Sequence, residues 1–154
     1  MTTKSNIEAW AERGVHLRGD HDAFEKRFDE LCQTAREGDW EDVDAVWGPF
    51  EKDFREHMDF EERELFARFA VTGKDPAGVV KTLKEQHAEI REQLAQIGVE
   101  IQLHAIRADT IDAFVKSIRM HNTVESAHFY PWVDEQLEAA LGHLPKGHGA
   151  VRSL

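Results

Sequence analysis

Three times in 154 residues a histidine is followed four positions later by a glutamate: His21/Glu25, His57/Glu61 and His121/Glu125. On a helix, residues four apart share a face and lie about 6 Å apart along the axis. Imidazole and carboxylate so placed are either a solvated surface pair or two ligands of one metal ion. Spacing alone does not choose between them. With nine histidines and 18 glutamates in the chain, roughly one such pair arises by chance. What separates the three pairs must be where each falls on the element that carries it.

The breakers divide the chain into four segments, roughly 20–37, 41–70, 76–106 and 109–130. EGDW (37–40) and VTGKDPAG (71–78) read as turns, the second with Asp75 as N-cap and Pro76 at the first helical position. RADT (107–110) is a softer break with Asp109 as N-cap. Alternation of period two is nowhere sustained, so strands are not expected. Each segment instead has an apolar stripe at three- and four-residue spacing. The stripes are His21, Phe24, Phe28, Leu31; Trp47, Phe50, Phe54, His57, Glu61, Leu65; Leu83, His87, Ile90, Leu94, Ile97, Ile101; and Ile111, Phe114, Ile118, His121, Glu125, His128, Trp132. Four amphipathic helices with short connections predict an all-α, up-down-up-down four-helix bundle in a single domain, with a tail from about residue 136.

Glu61 and Glu125 fall on these core stripes, whereas Glu25 lies one position off, beside Phe24. A carboxylate inside a bundle is costly unless protonated, paired or bound to a metal. Turn counting then places the histidines. His21 lies 18 residues before a first turn centred at 39 and His57 lies 18 after it; around a second turn at 73, His57 lies 16 before and His87 14 after. The last connection is less even. About a turn centred near 107, His87 lies some 20 residues before, His121 about 13 after, Glu125 about 17 and His128 about 20. Either the third helix ends early, loosening at Gly98, or His128 joins the group.

Composition narrows the setting. A net charge of −11 works against phosphate backbones and anionic membrane surfaces, so neither nucleic acid nor membrane is an expected partner. No apolar run approaches the ~18 residues of a membrane span. The single Cys32 cannot close an internal disulfide, which with the absence of a secretory apolar run points to the cytoplasm. Fourteen aromatic residues oppose the disorder that an acidic composition can signal.

The ordered set DH (20–21), HMDFEERELF (57–66), LKEQHAEI (83–90) and HNTVESAHFYPWV (121–133) resembles the hemerythrin-like, HHE cation-binding family. That family is a four-helix bundle with a non-haem diiron centre, and the resemblance covers about residues 16–135. It implies that His21 and His57 serve one iron, His87 and His121 the other, and that Glu61 and Glu125 bridge them, with an oxo or hydroxo bridge between the irons. Oxygen-carrying hemerythrins bear HxxxH on the third helix, where this chain has Arg91 four after His87. Their last carboxylate is an aspartate five after His, where this chain has Glu125 at four. Counting ligands for two six-coordinate irons leaves about two positions for water, O2, peroxide, NO or His128. The same donors suit manganese or zinc.

The resemblance implies a protein that binds or reacts with a small oxidant: oxygen sensing or storage, or catalase- or peroxidase-like breakdown of peroxide. An alternative is an NO-responsive or iron-donating repair protein; the cysteine-containing segment of those proteins is not in this sequence. His128, three after Glu125, has the ExxH spacing of ferritin-type sites and is a candidate as ligand or as pocket histidine. Glu25 reads as solvated or supporting, Asp20 as an N-cap, and Tyr130 as an anchor for the helix end before Pro131. His104 lies some 25 Å along its helix from His87, too far to join.

Overall fold

The computed structural model describes residues 20–71 and 78–141, the side chains of 137, 140 and 141 excepted. Four helical rods run through it. Rod α1 spans residues 20–36. Rod α2 starts at Trp40–Phe60, continues through a π-helical turn at Glu61–Phe66, and ends in Ala67–Val71. Rod α3 is Val79–Gln102. Rod α4 starts at Ala108–Val124, passes a second π turn at Glu125–Phe129, and continues through Tyr130–Leu141. No strand occurs among the described residues, as the absence of period-two alternation predicts. No described helix is long and apolar enough to cross a membrane. The proposed cap at Asp75–Pro76, His16 and the 142–154 tail lie outside the described residues.

The first connection closes where EGDW predicts. Gly38, at φ +79°, terminates α1 with its N–H on the Ala35 carbonyl and the Asp39 N–H on the Thr34 carbonyl. This paired return needs a left-handed residue, which glycine supplies without a Cβ clash. Asp39 then caps α2, accepting from the Asp42 N–H.

The α3–α4 connection differs from the expectation. It spans Leu103–Arg107, and α4 begins at Ala108 with no side-chain cap from Asp109, which lies in the first turn. Rod α3 therefore does end early, at Gln102, but it is continuous through Gly98. Centring the turn at residue 105 puts His87 18 residues before it and His121 16 after, so the two are level. Rod α4 also passes Pro131, where an end was expected, and runs to Leu141. The π turn just before Pro131 has already broken the regular ladder of hydrogen bonds, so the missing proline N–H adds little further cost.

Two apolar clusters fill the bundle. One contains Phe24, Phe28, Phe50, Phe54, Ile97 and Phe114 among others. The other contains Leu65, Phe66, Phe69, Leu83, Phe129 and Trp132. In sequence, every candidate ligand on α2, α3 and α4 falls between a residue of the first cluster and one of the second. The polar layer is thus sealed on both sides by aromatic and aliphatic side chains.

Candidate metal centre

Six of the seven candidate residues converge in that layer. His21, His57, Glu61, His87, His121 and Glu125 are all buried, both glutamates completely. Their donor atoms form two groups: His21, His57, Glu61 and Glu125, and Glu61, His87, His121 and Glu125. Within each group one donor atom per residue lies within 4.8 Å of all the others. Both carboxylates belong to both groups. Glu61 faces His57 Nε2 at 3.4 Å with one oxygen and His87 Nε2 at 3.1 Å with the other. Glu125 does the same for His21 Nε2 at 3.0 Å and His121 Nε2 at 3.1 Å.

The layer is not satisfied by hydrogen bonds. His57 Nε2, both oxygens of Glu61 and one oxygen of Glu125 are buried without a partner. The Nε2 atoms of His87 and His121 lie 3.1 Å apart, so two lone pairs oppose each other unless they share a proton. Buried polar atoms are nearly always paired, and four orphans converging in one layer call for a cation. Imidazole nitrogens with carboxylate oxygens are the donor set of a transition metal, so the residues fit the group.

Electrostatics agree. Burial and the neighbouring Glu125 charge raise the Glu61 carboxyl well above its ordinary range. Burial acts to raise Glu125 too, but His121 and His21 hold it well below. Two carboxylates in one dry layer cannot both ionise without positive charge between them.

The outward Nδ1 atoms reveal anchors that the sequence did not. His57 Nδ1 donates to Asp20 at 2.9 Å, His87 Nδ1 to Glu62 at 2.7 Å, and His121 Nδ1 to the Gln86 side-chain oxygen at 2.8 Å. A proton fixed on Nδ1 leaves the Nε2 lone pair aimed inward, the arrangement that supports metal-ligating histidine. Asp20 is thus a histidine anchor, where an N-cap was expected. Glu62 also accepts from Arg91 at 2.8 Å, and Arg91 reaches Asp59 at 2.8 Å. Burial works to raise the Glu62 carboxyl, but His87 and Arg91 hold it down to about 2. Tyr130 donates its hydroxyl to Glu125 at 3.0 Å and lies 2.9 Å from His21 Nε2. Burial and the Glu125 charge push its phenol far above the ordinary range, so it stays neutral.

The arrangement repeats within the chain. Asp20, His21, His57, Glu61 and Phe66 correspond to Gln86, His87, His121, Glu125 and Tyr130 at offsets of 66 and 64 residues. Each repeat carries a π turn beginning at its glutamate. Such turns recur at functional sites, where the extra residue re-aims side chains.

That extra residue corrects the His128 expectation. Tyr130 donates its backbone N–H to the Glu125 carbonyl, five residues back. One residue is thereby added to the turn, Phe129 and Tyr130 take the inner face, and His128 is turned out to solvent, in neither donor group. Glu25 pairs with Arg119 at 2.7 Å, and His104 is exposed against Trp40.

Comparison with known families gives a match to the model described as the hemerythrin HHE cation binding domain, over residues 15–133 and again over 78–154. No curated protein and no solved structure matches the chain.

Proposed function

The chain belongs to the hemerythrin HHE cation-binding family, and from that we propose that it is a diiron protein that binds or reacts with O2 or peroxide. His21 and His57 would hold one iron and His87 and His121 the other, with Glu61 and Glu125 spanning both. A pair of irons supplies two electrons to a small oxidant when bound. The observation that carries the reading is the sharing of both buried carboxylates by both histidine pairs, with four inward atoms left unpartnered.

The chain's own residues would do the rest. Phe24 lies edge-on to His57 at 5.6 Å between ring centres, and Phe66 stacks on His87 at 5.3 Å. These rings exclude water, which strengthens every charge interaction inside. Asp20, Glu62 and Gln86 hold three imidazoles in one orientation through a change of oxidation state. Tyr130 keeps a donor on Glu125 and is the phenolic proton nearest the layer.

The test is to load the protein with iron and count metal per chain. The reduced, anaerobic protein is then exposed in turn to O2, H2O2 and NO while its near-ultraviolet charge-transfer absorption is followed. Two irons per chain and a change with O2 or H2O2 are expected. Fewer than two irons at saturation defeats the diiron assignment, and a response to NO alone moves the function to the NO-handling alternative.

A further inference from the structure

The two donor groups share both carboxylates and have two histidines each, so their inner ligands are equivalent. Their supports are not. In the His87/His121 group both imidazoles have Nδ1 fixed by an acceptor, Glu62 at 2.7 Å and Gln86 at 2.8 Å. Glu62 is itself held by Arg91, which Asp59 holds in turn. Phe66 stacks on the His87 ring as well.

In the His21/His57 group, among the described residues, only His57 has such an anchor, Asp20 at 2.9 Å. The internal repeat shows what is missing. The position equivalent to Glu62 is Ser126, which is exposed. Among the described residues, besides Glu125 at 3.0 Å from Nε2, the polar partner of His21 is the Tyr130 hydroxyl. It lies 3.4 Å from Nδ1 and 2.9 Å from Nε2, the nitrogen a metal needs. His21 is also the most exposed of the four imidazoles, at 8 %, against 0 % for His87 and 3 % for His121.

We infer that the two cation positions are unequal by construction. The His87/His121 position is preformed, fills first and holds its ion tightly. The His21/His57 position fills second and exchanges its ion. This rests on the two-cation reading above. The physical cause is reorganisation. An imidazole already locked in its liganding pose loses little freedom on binding, whereas His21 must exchange its tyrosine contact for a metal and be ordered at that moment. The carboxylate behind His87 is itself clamped by Arg91, which further fixes that imidazole's pose. Glu62 is therefore a positioning residue for one position, and Asp20 for the other.

The experiment is an anaerobic titration of the metal-free protein with Co(II), whose visible absorption reports each ion bound, followed by the same titration with Fe(II). Two resolved steps of one ion each are expected. Glu62→Gln keeps size and a weaker acceptor, and Glu62 lines an open surface hollow of about 480 Å³ with Asp59, Arg63 and Lys84, so the variant has room to fold. It should weaken the tight step about ten- to hundredfold and leave the loose step in place. Asp20→Asn should do the reverse. Two ions bound in one indistinguishable step, or either variant weakening both steps equally, overturns the inference while leaving the two-cation reading intact. Saturation below two ions overturns both.

Discussion

Glu61 and Glu125 are the same residue type at equivalent places in the repeat, yet removing them from the metal-free protein should have opposite effects. Glu61 is buried with both oxygens unpartnered, and its carboxyl is raised by burial and by Glu125. An apolar side chain of similar volume removes that penalty, so Glu61→Met should leave the metal-free protein as stable as the parent or more stable by up to about 4 kcal/mol. Glu125 accepts the Tyr130 hydroxyl and is held ionised by His121 and His21, so Glu125→Met removes a paired, charged acceptor and should destabilise by about 1–3 kcal/mol. Both variants should fail to retain two metals. Denaturant unfolding of the metal-free forms, with metal analysis of the loaded ones, checks each sign, and a metal-replete Glu61→Met would contradict the placement of that carboxylate. The six converging residues were legible because each lies on an apolar stripe, where a polar side chain stands out. Asp20, Glu62 and Gln86 were not, because each lies beside a stripe among ordinary surface polar residues. Their role exists only through a histidine on another helix. Arg91, first noticed as a departure from a histidine pattern, serves as the clamp on Glu62.

At the scale of elements, four rods were legible from periodicity, and the errors lie where local geometry departs from a regular helix. The π turns add one residue to α2 and α4 without any signal in the apolar spacing, which is why His128 was expected inside and is found outside. The α3–α4 connection lies earlier than RADT, with its better turn composition, predicts, because the observed turn leans on Glu100. That side chain, 4 % exposed, accepts from the Arg107 N–H at 2.7 Å, from the Thr110 hydroxyl at 2.8 Å and from Gln96 at 2.7 Å. It thus satisfies the start of α4 from within the last turn of α3, a cap with no signature at the start of α4 itself. Burial works to raise the Glu100 carboxyl, but these donors, the Arg107 N–H foremost, hold it below its ordinary value of 4.5. A depressed carboxylate stabilises the fold fully above its unfolded pKa and loses that contribution as pH falls through the folded value. Stability should therefore decline below about pH 4.5. Glu100→Gln should remove about 1–3 kcal/mol at neutral pH and flatten this part of the acid decline in metal-free protein. Denaturant midpoints measured from pH 7 downward test it, and an unchanged slope in the variant would remove Glu100 from this role.

For the molecule as a whole, the consequence is a link between metal and stability. Two apolar clusters are separated by a layer that without a cation contains opposed imidazole nitrogens, a carboxylate driven to take up a proton, and orphaned oxygens. Four rods meet at that layer: an ion in one position ties α1, α2 and α4, an ion in the other ties α2, α3 and α4, and each binds the folded chain alone because no unfolded ensemble assembles donors so far apart in sequence. A ligand of that kind stabilises by about 2.7 kcal/mol when its free concentration is a hundred times its dissociation constant. For a chain of this length each kcal/mol raises the melting temperature by about 2–4 °C, so one site filled to that degree raises it by roughly 5–10 °C, and two sites by more. The shift should grow with the logarithm of metal concentration and vanish with chelator. It should appear with Fe(II) or Co(II), which take imidazole, and not with Mg(II), which prefers oxygen ligands. In Glu61→Met the same melt should show a much smaller rise, because both positions lose the same carboxylate. Melting curves recorded anaerobically across a metal series decide the matter. A midpoint indifferent to Fe(II) and Co(II), or one that Mg(II) raises equally, would mean that the layer between the two clusters is no transition-metal site.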